Sequence, residues 1–107
     1  MDKKIIKRYF STFEGKFLEK LFIELLKQQQ IYTKIRCYWE RGNKNEIDIV
    51  ALDELNKRML ICGVKLSKKR LNRDELIKKS IKLVNKFKDY KIEYAMYCID
   101  DLDLFLG

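Results

Sequence analysis

Glu46-Ile47-Asp48-Ile49-Val50-Ala51-Leu52, followed by Asp53-Glu54-Leu55-Asn56-Lys57 and then Arg58-Met59-Leu60-Ile61-Cys62-Gly63-Val64-Lys65, decides how this chain folds. Two runs rich in β-branched and aliphatic residues flank a short polar loop, which predicts a β-hairpin. Closing the loop with Asp53 opposite Arg58 sets Asp48 opposite Gly63 and Glu46 opposite Lys65. Opposed residues share a face, so these four form one polar cluster; a bulge in either strand would shift the pairing. Asp48 shares a face with Val50 and Leu52 and stands directly between two isoleucines. Asp is disfavoured in strands. It is either a rim residue near a strand end or a carboxylate kept for chemistry.

Upstream, residues 12–29 carry Leu18, Leu21, Phe22, Leu25 and Leu26 at helical spacing, which predicts an amphipathic helix. On its wheel Glu19 falls inside the apolar arc, between Leu26 and Ile23, while Lys16, Lys20 and Lys27 occupy the opposite arc. A carboxylate there either snorkels to water or needs a partner. Residues 31–40 read as a strand whose aromatics Tyr38 and Trp39 are expected in the core, and residues 41–45 as a turn. Downstream, a helix is predicted over 73–88. Asn72 is its N-cap, Glu75 completes a capping box, and Leu71 and Leu76 are placed as a hydrophobic staple. Its expected buried stripe is Leu76, Ile77, Ser80, Ile81, Val84 and Phe87. Residues 91–99 form the last strand, and the tail from Asp100 forms a short helical turn. The order is α-β-β-β-α-β over a single domain, residues 1–107, with no repeat or linker.

The chain has 24 Lys and Arg against 16 Asp and Glu, a net charge of +8. Residues 65–91 hold 11 basic and 3 acidic side chains, so this quarter of the chain carries the whole excess. Such a stretch is either a solvated lysine-rich helix or an electrostatic footprint for phosphate backbones. The absence of histidine excludes Ser-His-Asp and Cys-His catalysis and every His-ligated metal site. The four glycines form neither a P-loop nor a dinucleotide-binding fingerprint. Cys37, Cys62 and Cys98 lie far apart in strand-like stretches and read as buried free thiols of a reducing cytoplasm. No apolar run approaches the length of a membrane span, and the charged N-terminus lacks the apolar stretch of a signal peptide.

Gly15-Lys16-Phe17-Leu18-Glu19, Glu46-Ile47-Asp48-Ile49-Val50-Ala51 and Gly63-Val64-Lys65, in this order of elements, resemble the PD-(D/E)XK nuclease superfamily. Tyr38-Trp39-Glu40-Arg41-Gly42 leading into Asn45-Glu46-Ile47-Asp48-Ile49-Val50-Ala51-Leu52 is similar to the DUF234 domain, found at the C-terminus of archaeal-type ATPases. The resemblance spans residues 9–99. It implies a restriction-endonuclease-like α/β core with a mixed sheet flanked by helices, a nuclease-like function on DNA, and a P-loop ATPase as partner. The chain begins at Met1 with no P-loop, so the ATPase would be a separate chain or a part from which this domain was divided. The resemblance also implies catalytic roles for Asp48, Lys65 and Glu19, with Mg²⁺ or Mn²⁺ held by Asp48 and Glu19. DNA contacts would come from Lys68, Lys69, Arg70, Lys78, Lys79 and Lys82 of the basic stretch. The chain departs from the pattern where Gly63 stands in place of the acidic residue of the (D/E)-x-K motif. Without that oxygen a hard cation loses one of its two principal anionic ligands. Three outcomes follow: a fold that no longer cuts and holds no metal, replacement of the lost ligand by Glu46, or a recent single change.

Overall fold

The computed structural model describes residues 15–42 and 44–102. Helix α1, Gly15–Gln28, precedes strands β1, Lys34–Glu40, β2, Lys44–Asp53, and β3, Arg58–Val64. A 3₁₀ turn, Lys68–Arg70, leads to helices α2, Arg73–Lys79, and α3, Ile81–Lys86. Strand β4, Lys91–Tyr97, and a 3₁₀ turn, Ile99–Leu102, follow. The part of the expected first helix before residue 15 lies outside the described residues. The sheet has four strands in the order β1-β2-β3-β4, with β1, β2 and β3 antiparallel and β4 parallel to β3. A parallel pair needs a crossover, and α2 and α3 supply it. The fold is thus α/β, a mixed sheet flanked by helices in the expected order.

The hairpin has the expected register, from Asp53↔Arg58 through Ile49↔Cys62. Its tip is closed by Asp53, which is only 1% exposed. Asp53 accepts the Asn56 backbone N–H at 3.2 Å and the Asn56 side-chain amide at 2.9 Å. Lys57 takes the left-handed conformation the turn demands, at φ 52°.

The pairing departs from the flat reading nearer the other end. Between Arg36↔Val50 and Tyr38↔Ile47, the single residue Cys37 lies opposite both Asp48 and Ile49. This β-bulge rotates the strand, so that Ile47 packs with Val50 on one face while Ile49 packs on the other. Simple alternation would put the two isoleucines together. A second bulge sets Trp39 opposite Asn45 and Glu46, with Asn45 left-handed at φ 51°.

Helix α1 covers one face with Leu18, Phe22, Leu25 and Leu26 packed on Ile49, Cys62 and Val64. Phe22 stacks on Tyr97 with ring centroids 4.9 Å apart. Helices α2 and α3 cover the other face through Leu76 and Leu83, over Val50, Met59 and Ile61. The expected single helix over 73–88 is broken at Ser80. Its buried hydroxyl donates to the Ile77 carbonyl at 2.9 Å and meets the Tyr94 hydroxyl at 2.9 Å. The break turns the second segment, so Leu83 is 6% exposed while Ile81, expected inside, is 56% exposed and Ile77 also reaches the surface. Asn72 caps α2 as expected, accepting the Glu75 N–H at 3.1 Å.

Candidate functional site

Beyond Ile49↔Cys62 the two central strands part. Strand β2 keeps pairing with β1 through Ile47↔Tyr38. Strand β3 keeps pairing with β4 through Gly63↔Met96 and Val64↔Tyr97, and the Lys65 N–H donates to the Tyr97 carbonyl at 3.0 Å. The Val64 N–H, which would otherwise have faced β2, donates to Asp48 Oδ2 at 2.7 Å. The expected Asp48–Gly63 pair is therefore absent from the ladder, because the bulge at Asp48 ends it one step earlier. The side chain of Asp48 substitutes for a backbone acceptor at the point of divergence.

The split opens a cleft of about 110 Å³ under the start of α2. Glu46, Asp48, Gly63 and Lys65 all line it, so the cluster expected from the hairpin register does assemble. Helix α2 and the turn before it add Arg70, Glu75 and Lys79, and Leu76 and Met96 give an apolar floor. Glu19 is not among the lining residues. It sits half-buried on α1, the helix that packs on Ile49, Cys62 and Val64. The sequence suggests DNA contact for Arg70 and helix capping for Glu75; only the crossover path after β3 brings both to this cleft.

The cleft holds three carboxylates and three cations. Glu75 and Lys79 pair with each other at 3.1 Å. Lys65 and Arg70 make no ion pair among the described residues. Gly63 has ordinary backbone geometry, and a Cβ there would meet Leu76 methyl carbons at 3.7 and 4.0 Å, an ordinary packing distance. The strand would therefore accept a side chain.

One oxygen of Asp48 is committed to Val64, Gly63 offers no side-chain oxygen, and Lys65 lies in the same cleft. Among the described residues no group of three or more Asp, Glu or Cys stands close enough to hold a metal.

The expected DNA-contact residues divide into two sets. Lys68, Lys69 and Arg70 are exposed on the 3₁₀ turn, and Lys78 is exposed on α2. Lys79 is held by Glu75, and Lys82 reaches Glu40 at 3.8 Å. Glu40 accepts from Asn45 at 2.9 Å and from the Tyr38 hydroxyl at 3.2 Å. The Asn45 amide above all, then Tyr38, Lys82 and Lys86, hold its carboxyl below the ordinary value. The basic helix also carries Arg73, whose guanidinium lies 5.8 Å from the Tyr94 ring centre.

Two expectations about burial fail. Trp39 is 58% exposed on β1, an edge strand, and of the two aromatics only Tyr38 joins the packed cluster. Cys37 is exposed on the same strand, whereas Cys62 and Cys98 are buried and free. Burial pushes both buried thiols above their ordinary range, which keeps them protonated and poorly reactive.

Among the described residues no helix is long and apolar enough to cross a membrane. No curated protein and no solved structure matches the chain. The family profile DUF234, described as archaeal and bacterial proteins of unknown function, matches residues 1–82 of the 107. That match covers α1, β1–β3 and α2 and takes in every cleft-lining residue but Met96, and the chain belongs to the DUF234 family.

Proposed function

We propose that this DUF234 domain is a nuclease-like module of PD-(D/E)XK type that contacts DNA and has impaired or lost catalysis. The observation that carries the reading is the meeting of Asp48, Gly63 and Lys65 at the split between β2 and β3. A bulged strand bearing Asp beside a strand bearing x-x-Lys is the arrangement such enzymes need, and here the second acidic position is glycine. Asp48 then serves the backbone of Val64, and Lys65 and Arg70 are left to meet phosphate oxygens. The basic residues of 65–91 supply the sequence-independent attraction to the duplex. The domain would work in the cytoplasm beside a P-loop ATPase, without a tightly held metal.

The test is duplex binding across a salt series. Affinity falls steeply with salt, and neutralising Lys68, Lys69 and Lys78 to alanine lowers the slope of log affinity against log salt by about 1 for each phosphate no longer neutralised. An unchanged slope in the triple variant overturns the reading. Substituting Lys79 and Lys82 has a smaller effect, since Glu75 and Glu40 already occupy them. That occupation also favours a second reading, a protein-interaction module, which predicts no DNA binding at any salt.

A further inference from the structure

We propose that the outer edge of β1 and the groove beside it dock an extended acidic peptide, which joins the sheet as an added strand. Strand β1 ends the sheet order, and among the described residues nothing pairs with its outer side. Alternate backbone N–H and C=O groups there are open to a further strand. Beside the edge, β1 and α3 enclose a groove of about 140 Å³ floored by Tyr38, Val50, Leu52, Leu83 and Phe87.

The side chains of β1 specify the occupant. Lys34 and Arg36 line the groove on its strand side. Arg36 makes no ion pair among the described residues, and Lys34 makes only a 3.8 Å contact with Glu54. Cations on the strand side of an otherwise apolar groove select acidic side chains along this edge. By strand alternation the opposite face of β1 presents Ile35 and Trp39, the latter exposed. Cross-strand neighbours match best when charges oppose and apolar groups meet. The fitting peptide therefore alternates acidic residues, opposite Lys34 and Arg36, with apolar residues opposite Ile35 and Trp39. A second copy of this chain is the poorer occupant, because each copy carries a net charge of +8.

This inference stands apart from the proposed DNA contact, since Lys34 and Arg36 do not line the cleft at Asp48. Its test uses the full chain and a labelled, acetylated peptide alternating Asp or Glu with Val or Leu. The peptide is expected to bind and to slow backbone amide exchange across residues 34–40. The double variant Lys34→Glu with Arg36→Glu, folded by circular dichroism, is expected to bind about tenfold more weakly. Methylating alternate peptide nitrogens keeps the charge but removes the strand hydrogen bonds, and is expected to cost at least about tenfold. The inference is overturned if the peptide fails to bind at about 1 mM, or if the methylated peptide binds equally well. It is also overturned if a single-stranded oligonucleotide protects β1 in place of the peptide, or if the chain alone dimerises with β1 protected.

Discussion

Asp48 and Asp53 lie on one strand, facing the same β3, and the chain uses them in opposite ways. Asp53 closes the hairpin. It is buried, and both of its oxygens take hydrogen bonds from Asn56. Those bonds, more than the Arg58 guanidinium at 3.8 Å, hold its carboxyl below the ordinary value. Asp48 marks where the hairpin comes apart. It is half-buried, gives one oxygen to the Val64 N–H, and opens onto a cleft shared with Lys65 and Arg70. A carboxylate surrounded by its own turn is architecture. One placed where two central strands diverge, in a cleft with Lys65 and Arg70, is on our proposal positioned to meet something outside the chain.

The largest expected effect is on the closed end. Asp53→Ala strips the turn of its acceptor and leaves Asn56 donors unsatisfied; Tm is expected to fall by roughly 10–15 °C in a thermal melt. Asp48→Ala removes one charge-assisted hydrogen bond at a partly solvated site. It should cost roughly 1–2 kcal/mol by denaturant titration. If Asp48 proves the costlier of the two, the assignment of roles is inverted.

A smaller effect separates the two by pH. The folded-state pKa of Asp53 is depressed, so its stabilisation is full above the ordinary value of 3.8 and is lost as pH falls through the lower folded value. Asp53→Asn is expected to flatten the acid limb of the stability curve in that window. Glu40 and Asp89, held down chiefly by Asn45 and by Lys57 respectively, keep a residual slope there. An acid limb identical to that of the wild type would place the proton uptake elsewhere. The smallest effect is at Gly63. Gly63→Ala removes backbone freedom from a strand, with room for the added carbon, and should raise stability by about 0.5 kcal/mol. A clear loss would mean that the strand needs glycine for its geometry, rather than having merely lost an acid.

Much of this is legible in the residues. The loop Asp53–Lys57 has the turn chemistry that sets the hairpin register, and the register brings Glu46, Asp48, Gly63 and Lys65 together. The bulges are not legible. Glu46-Ile47-Asp48-Ile49-Val50 reads equally well as a flat strand, and only packing on both faces shows that Ile47 and Ile49 point apart. Nor is the break at Ser80, since the helical spacing runs unbroken through it. What stops the helix is a hydroxyl shared with Tyr94, a contact made from β4. Trp39 reads as a core residue because aromatic content marks a strand without saying which strand lies at the edge.

In the nuclease-like reading we propose, Gly63 stands at the motif's acidic position, and the whole functional proposal turns on that position. Calorimetric titration of Mn²⁺ into the wild-type chain and into Gly63→Glu probes it without reliance on activity. Binding is expected to be weak or unmeasurable in the wild type and to rise at least about tenfold in the variant, and adding Asp48→Asn is expected to abolish the gain. Equal Mn²⁺ affinity in the wild type and Gly63→Glu would contradict the proposal.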